Sequence, residues 1–312
     1  MTRRGRCTRT CNNDTASRQM DVKPAGSATF FCADCVYLQA LQVTNRQFFI
    51  MELLNKKIFA EGNMARYRQE FDSAKPYRHL VVDGFFTPEA ATELYSNFPG
   101  VEQLKKHWKG LNEQKSESSD FSSFHPAFLQ VKQTLFSTDF YQWVTRVTGI
   151  EDVFITDDHM GAGLHQGASG SYLDVHIDFN IHHVKNVHRR LNLLVYLEKN
   201  WKEEYGGALE MWDANMKNCE KMVLPMFNRC VIFETSEISY HGYSKITIPE
   251  DITRKSFFTY FYTNEREDAV PYHDTIFRAR PEEGTVKKLK TSVKENLKNT
   301  AKTTLKKLGV KF

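Results

Sequence analysis

The segment Tyr172-Leu-Asp-Val-His-Ile-Asp-Phe-Asn180 places His176 and Asp178 two residues apart. On an extended strand, residues two apart share a face and sit about 6.6 Å from one another along the chain. Both side chains can therefore approach one ion from one side. A third ligand must come from another strand, and His241 is the candidate. It stands in Ser239-Tyr240-His241-Gly242, just after the apolar run Cys230-Val-Ile-Phe233. Two imidazoles and one carboxylate on one face of an octahedron leave three positions open, a donor set suited to oxygen chemistry at Fe(II). Thiolates are absent from the cluster, which argues against a structural zinc site. Arg254 follows His241 by thirteen residues and heads Arg254-Lys-Ser-Phe-Phe-Thr-Tyr-Phe-Tyr262. A guanidinium there can pair bidentately with a carboxylate, and Ser256 on the same face adds a hydroxyl.

The elements that must position these groups follow from periodicity. After Ile150 the apolar pattern changes from helical to alternating, with strand candidates at 152–156, 170–178, 189–197, 207–212, 229–234 and 255–262. In the 189–197 segment Leu191, Leu193, Val195 and Leu197 take one face, and Asn192, Leu194 and Tyr196 the other. Upstream, His79-Leu-Val-Val reads as a strand and Asp83-Gly84 as a turn. Thr87-Pro88-Glu89 then supplies a helix N-cap, a proline at the first helical position and an acid in the first turn. Residues 115–123 are polar and Ser-rich and read as a loop. Two further helices follow, the second capped by Ser137 or Thr138, carrying Phe140, Trp143, Val144 and Val147 on one face and stopping at Gly149. Helices first, then six clear strands and about eight in all, give an α+β fold: a double-sheet jelly roll, or double-stranded β-helix, buttressed by N-terminal helices.

Charge and cysteine distribution separate the ends from the body. The chain has 312 residues, 41% hydrophobic and 26% charged, with a formal net charge of +4. Residues 1–50 contribute +4 and residues 284–312 contribute +8, so the body between them carries 4 − 4 − 8 = −8. An acidic body with basic ends does not present the basic face of a folded nucleic-acid-binding domain. No run approaches the length of a membrane span, and the basic start has no apolar stretch behind it to form a secretory signal. Cys219 and Cys230 are the body's only cysteines, which suits a reducing compartment such as the cytoplasm. Cys7, Cys11, Cys32 and Cys35 fall in the leader, which reads either as a disordered basic segment or as a four-thiolate zinc site, and Met51 is an alternative start. The expected divisions are a leader over 1–50, a strand and helices over 51–150, the jelly-roll core over 151–283 and a tail over 284–312. In the tail Val286, Leu289, Val293, Leu297, Ala301, Leu305 and Leu308 recur at steps of three or four among lysines. That pattern is either a helix for a membrane surface or acidic partner, or a solvated helix with no partner.

With these pieces in place, the stretch 176–262 resembles the prolyl 4-hydroxylase-type branch of the Fe(II)/2-oxoglutarate dioxygenases. The pieces that match are His176-x-Asp178, Arg190-Leu-Asn-Leu-Leu-Val-Tyr-Leu-Glu-Lys-Asn-Trp201, Gly206-Gly207-Ala-Leu-Glu210, His241 and Arg254-x-Ser256. The likeness extends over about 77–280 and is nearest to ribosomal-protein prolyl hydroxylases and their bacterial relatives. It implies that His176, Asp178 and His241 bind Fe(II), and that Arg254 binds the distal carboxylate of 2-oxoglutarate, with Tyr196 on the same carboxylate. Ser256 and Asn192 are expected beside them. Gln166 or His165 falls where relatives place a polar co-substrate contact, and Gln166 is taken for the site. The implied activity is hydroxylation of a substrate C–H, first of all on a prolyl residue of a protein or peptide, with release of succinate and CO2. Dioxygen and ascorbate are the further implied requirements. The same chemistry on an amino acid, sugar or lipid head group, and a non-catalytic jelly-roll binding module, are the competing readings. Two departures narrow the subgroup. Arg254 stands where collagen-type enzymes carry Lys, and Tyr260 stands where nucleic-acid demethylases carry a second Arg.

Overall fold

The alternation in 188–196 sets the layers of the molecule. In the computed structural model, which describes residues 53–307, Leu191, Leu193 and Val195 face a helical layer and join its core. Asn192, Leu194 and Tyr196 face the opposite way, into the curl of the sheet. The strands are β1 (His79–Asp83), β2 (Lys106–Lys109), β3 (Glu113–Ser118), β4 (Ala162–Gly167), β5 (Tyr172–Ile177) and β6 (His188–Tyr196). They continue with β7 (Leu209–Trp212), β8 (Cys219–Val223), β9 (Arg229–Glu234), β10 (His241–Tyr243), β11 (Arg254–Thr263) and β12 (Ile276–Phe277). The helices are α1 (Glu61–Ser73), α2 (Pro88–Ser96), α3 (Pro126–Leu135), α4 (Thr138–Thr148) and α5 (Thr285–Lys307).

All strand pairs are antiparallel and run in the order β1-β9-β6-β11-β4-β3-β5-β10-β7-β8, with β12 added on β5 and β2 on β3. The sheet curls so that β6, β11 and β4 lie across from β5, β10 and β7 as the two faces of a double-stranded β-helix, which is the expected jelly roll. Helices α1 to α4 cover the outer face of the β1-β9-β6-β11-β4 half. Phe71, Phe128, Phe140, Trp143 and Val144 are buried there against Leu193, Ile232 and Phe261. The buttress is thus held by apolar burial, which stabilises by roughly 25 cal/mol per Å² removed from water. Local signals set the helix ends: the Thr87 side chain accepts from the Ala90 N–H ahead of Pro88, Ser137 accepts from the Phe140 N–H, and Gly149 closes α4 at φ 69°.

Two expectations change. Residues 115–123 are not a loop throughout, because β3 lies between β4 and β5 and joins the two faces. Its Lys115 and Glu117 point into a polar cavity, so both faces of the strand are polar and hydrophobic alternation cannot reveal it. Residues 152–156 form no strand beyond a single bridge from Phe154 to Tyr262. The expected boundary at 284 falls just before α5, which covers β12 and buries Thr291 and Glu295. The leader, its four cysteines and Met51 lie outside the described residues.

Candidate metal centre and its cavity

Strand pairing builds the three-residue cluster. β10 lies beside β5 with His241 directly opposite His176, and Asp178 follows at the end of β5. Gly242 permits this close approach, since a Cβ there would stand 2.6 Å from the Leu173 carbonyl oxygen. His176 Nε2 is 3.6 Å from one Asp178 carboxylate oxygen and His241 Nε2 is 3.5 Å from the other. One ligand atom from each of the three residues lies within 4.8 Å of the others. The ring orientation is fixed from behind: His176 Nδ1 is 2.9 Å from the Asp174 carbonyl and His241 Nδ1 is 2.8 Å from the Ser239 carbonyl. A carbonyl only accepts, so each Nδ1 must donate, and each Nε2 keeps its lone pair toward the cluster.

The charge state suits a cation. Burial would raise the Asp178 carboxyl, but Arg189, together with His241 and His176, outweighs it and holds the group well below the usual carboxylate range. Burial and then the neighbouring His176 push His241 down to about 4, so it is a neutral imidazole at neutral pH. Asp178 also accepts from Asn192 Nδ2 at 2.7 Å, while Arg189 donates to Asn192 Oδ1 at 2.6 Å and lies 3.3 Å from Asp178. The Arg189 guanidinium is itself held over the Tyr260 ring, 3.6 Å from its centroid. Two imidazole nitrogens and one ionised carboxylate are the donors Fe(II) requires, and the residues present fit it.

Beside the cluster, Arg254 lines the same cavity of about 580 Å³. Its Nε donates to the Gly207 carbonyl at 2.9 Å and its Nη2 to the Tyr196 hydroxyl at 3.3 Å, and Tyr243 lies under the guanidinium at 4.2 Å. Gly207 adopts φ +67°, and a Cβ there would meet Ile246 Cγ2 at 2.5 Å. Glycine is therefore needed where the backbone meets Arg254. Ser256 Oγ is buried with no hydrogen-bond partner, an acceptor and donor held ready on the cavity wall beside Arg254. A buried hydroxyl without a partner calls for a ligand or water.

The positions expected around the co-substrate divide. Arg254 and Ser256 line the cavity, and Tyr196 reaches Arg254 from behind while fully buried. Asn192 lines the cavity but is spent on Asp178, so it belongs to the metal cluster's support and not to the Arg254 end. Gln166 is a correction. It faces away from the cavity and donates to Thr253 Oγ1 at 2.8 Å, whereas its neighbour His165 faces inward. Alternation on β4 forces this, because Ser256 opposes His165 in the register. Periodicity missed Tyr243, Lys115, Glu117 and Arg189. Lys115 Nζ is 3.2 Å from Glu117, which lies 3.1 Å from His165 Nε2. Burial opposes the charge on Lys115, but Glu117 and Glu113 raise it above the ordinary lysine value, and burial followed by Lys115 lowers His165 to about 4. His182 pairs with Asp158 at 2.9 Å and joins no second metal cluster among the described residues.

A curled antiparallel sheet with two imidazoles and a carboxylate on neighbouring strands, and an arginine on a strand of the opposite half, defines a jelly-roll oxygenase fold. The profile of the 2OG-Fe(II) oxygenase superfamily matches residues 162–262, and the chain carries a 2OG-Fe(II) oxygenase domain. Among curated proteins it is similar to prolyl 3-hydroxylase OGFOD1 of Mus musculus, at 25% identity over 60% of this chain and 33% of the relative. The Xenopus laevis protein of the same name is 23% identical over 55% of this chain and 32% of its own. The chain therefore spans about a third of the length of these relatives. Among solved structures, a prolyl hydroxylase from Trichoplax adhaerens in complex with a hypoxia inducible factor peptide fragment superposes with a TM-score of 0.46 at 15% identity. That match covers 72% of this chain and 93% of the other.

Proposed function

We propose that the chain is an iron- and 2-oxoglutarate-dependent hydroxylase acting on a prolyl residue of a protein or peptide. The observation that carries this reading is the placement of the His176-Asp178-His241 cluster and the Arg254 guanidinium on the wall of one cavity. His176, Asp178 and His241 would hold the metal, and Arg254, steadied by Tyr196, Tyr243 and the Gly207 carbonyl, would bind the far carboxylate of 2-oxoglutarate, with Ser256 donating beside it. Bound there with 2-oxoglutarate and dioxygen, iron supplies the oxidant for C–H hydroxylation, with succinate and CO2 as co-products and ascorbate to restore the ferrous form.

The protein's own share is orientation and exclusion of water. Asn192 and Arg189 keep the Asp178 carboxylate turned toward the two Nε2 atoms, and the Nδ1 bonds lock both rings. Tyr260, Phe258 and Phe277 give the cavity apolar walls for a pyrrolidine ring. The relatives named as prolyl 3-hydroxylases support the choice of proline over other residues. In this reading 151–283 is the catalytic core and 51–150 its buttress, and the free thiols of Cys219 and Cys230 suit a reducing compartment such as the cytoplasm. Among the described residues no helix is long and apolar enough to cross a membrane.

The test is succinate release by the iron-loaded full chain offered proline-containing polypeptides, followed by mass spectrometry of those polypeptides. The expected result is stoichiometric succinate and a gain of one oxygen atom on a prolyl residue. Coupled turnover with a free amino acid or sugar, and none with polypeptides, would overturn the choice of substrate.

A further inference from the structure

Helix α5 is docked in an inverted sense. Its polar side faces the protein: Thr291 and Glu295 are each 1% exposed. Asn112 Nδ2 donates to Thr291 Oγ1 at 3.0 Å, and Glu295 accepts from the Phe277 N–H at 3.3 Å. Lys287 pairs with the buried Asp174 at 2.9 Å, Lys298 donates to the Thr275 carbonyl at 2.7 Å, and Lys302 pairs with Asp274 at 2.8 Å. The apolar stripe lies on the opposite side and faces outward, with Val286 67%, Leu289 64%, Val293 49% and Leu297 68% exposed. An amphipathic helix ordinarily buries this stripe. Here the domain is satisfied by the polar face, which leaves the apolar one for something else.

Charge indicates what covers it. Lys290 is exposed beside the stripe, Lys288 is exposed while donating to the Pro281 carbonyl at 2.7 Å, and the helix's one acid, Glu295, is buried on the other side. The outward surface is therefore aliphatic and cationic with no carboxylate. Protein interfaces are depleted in lysine and draw their binding energy from Trp, Tyr and Arg, none of which occurs in α5. Leucine and valine flanked by lysine is the composition of a helix lying in an anionic membrane interface. We propose that α5 is an interfacial helix that holds this domain on an anionic lipid bilayer. Val286, Leu289, Val293 and Leu297 enter the acyl boundary, and Lys288 and Lys290 meet the headgroups. Since Lys294, Lys298 and Lys302 of the same helix line the cavity, a bilayer on its outer side sets the cavity close to the membrane surface.

The test is sedimentation of the full chain with phosphatidylcholine vesicles and with vesicles that also contain phosphatidylserine. Binding is expected to the mixed vesicles only, and to weaken as salt rises, because exposed charges are screened beyond about 8 Å at physiological ionic strength. Leu289→Glu with Leu297→Glu should abolish it, with an unchanged circular dichroism spectrum showing that the fold is kept. Lys288→Gln with Lys290→Gln should lower partitioning by about thirtyfold, since each lysine near an anionic surface contributes about 1 kcal/mol and about 1.4 kcal/mol is tenfold. Absence of binding, equal binding to both vesicle types, or binding indifferent to the leucine changes would overturn the proposal. So would a dimer in solution that the leucine changes dissociate, without vesicle binding, since a second copy would then be the occupant.

Discussion

At the scale of single residues, the cluster was legible because His176 and Asp178 share a strand face and His241 follows a second apolar run, and the structure brings the three within reach of one ion. The support behind it was not legible, since a hydrogen bond between Asn192 and Asp178 joins residues on different strands. This yields a prediction that separates the two roles for Asn192. If it orients Asp178, Asn192→Ala should weaken Fe(II) binding roughly 10–100-fold and leave the 2-oxoglutarate requirement of the iron-saturated protein unchanged. A raised 2-oxoglutarate KM with unaltered iron affinity would instead return Asn192 to the co-substrate. For Arg254→Ala the expectation is reversed. Losing a charge-assisted contact in a closed cavity costs about 2–5 kcal/mol, so the 2-oxoglutarate requirement should rise by an order of magnitude or more while iron binding, followed by calorimetry, is retained.

At the scale of elements, apolar alternation located most of the long strands of the sheet and capping chemistry located α2 and α4, while α1, β4 and the short polar strands escaped both signals. β3 is the clearest case, because its inward residues Lys115 and Glu117 are polar by necessity where they line the cavity. The junction between β9 and the buttress shows how a polar residue can fix an element as firmly as an apolar one. Buried Asn228 accepts from the Phe86 N–H at 2.8 Å and donates to the Phe86 carbonyl at 2.9 Å, stitching the chain after β1 to the turn before β9. Asn228→Ala would leave both backbone groups unpaired, at about 1–3 kcal/mol for a buried polar group. The urea midpoint should fall accordingly, with the metal cluster intact in the folded fraction. An unchanged midpoint would show that water replaces the side chain.

At the scale of the whole molecule, protonation couples the cavity to stability. The folded protein holds His165 at about 4 and the unfolded chain at its ordinary 6.5. The unfolded state therefore binds the proton first as pH falls. Stability conferred by the neutral ring is full above about 6.5 and is lost as pH drops through about 4, amounting to on the order of 3 kcal/mol. Chemical denaturation across that range should show the loss, and His165→Gln should flatten the profile; a profile equally steep in the variant would assign the loss to other groups. The C-terminal segment read as an appendage in sequence, because its contacts with the body are polar, through Thr291, Glu295 and Lys287, and periodicity reports only the apolar stripe, which faces outward.

The central claim is that one cluster and one arginine make this cavity a 2-oxoglutarate-dependent oxygenase site. Succinate formation from 2-oxoglutarate, measured in the full chain with and without Fe(II) and in Asp178→Ala, tests it most directly. Asp178 is the sole carboxylate of the cluster, so the account predicts iron-dependent succinate in the parent protein and a loss to background in Asp178→Ala, with the variant still folded by circular dichroism. Undiminished, iron-dependent succinate formation in that folded variant would contradict it.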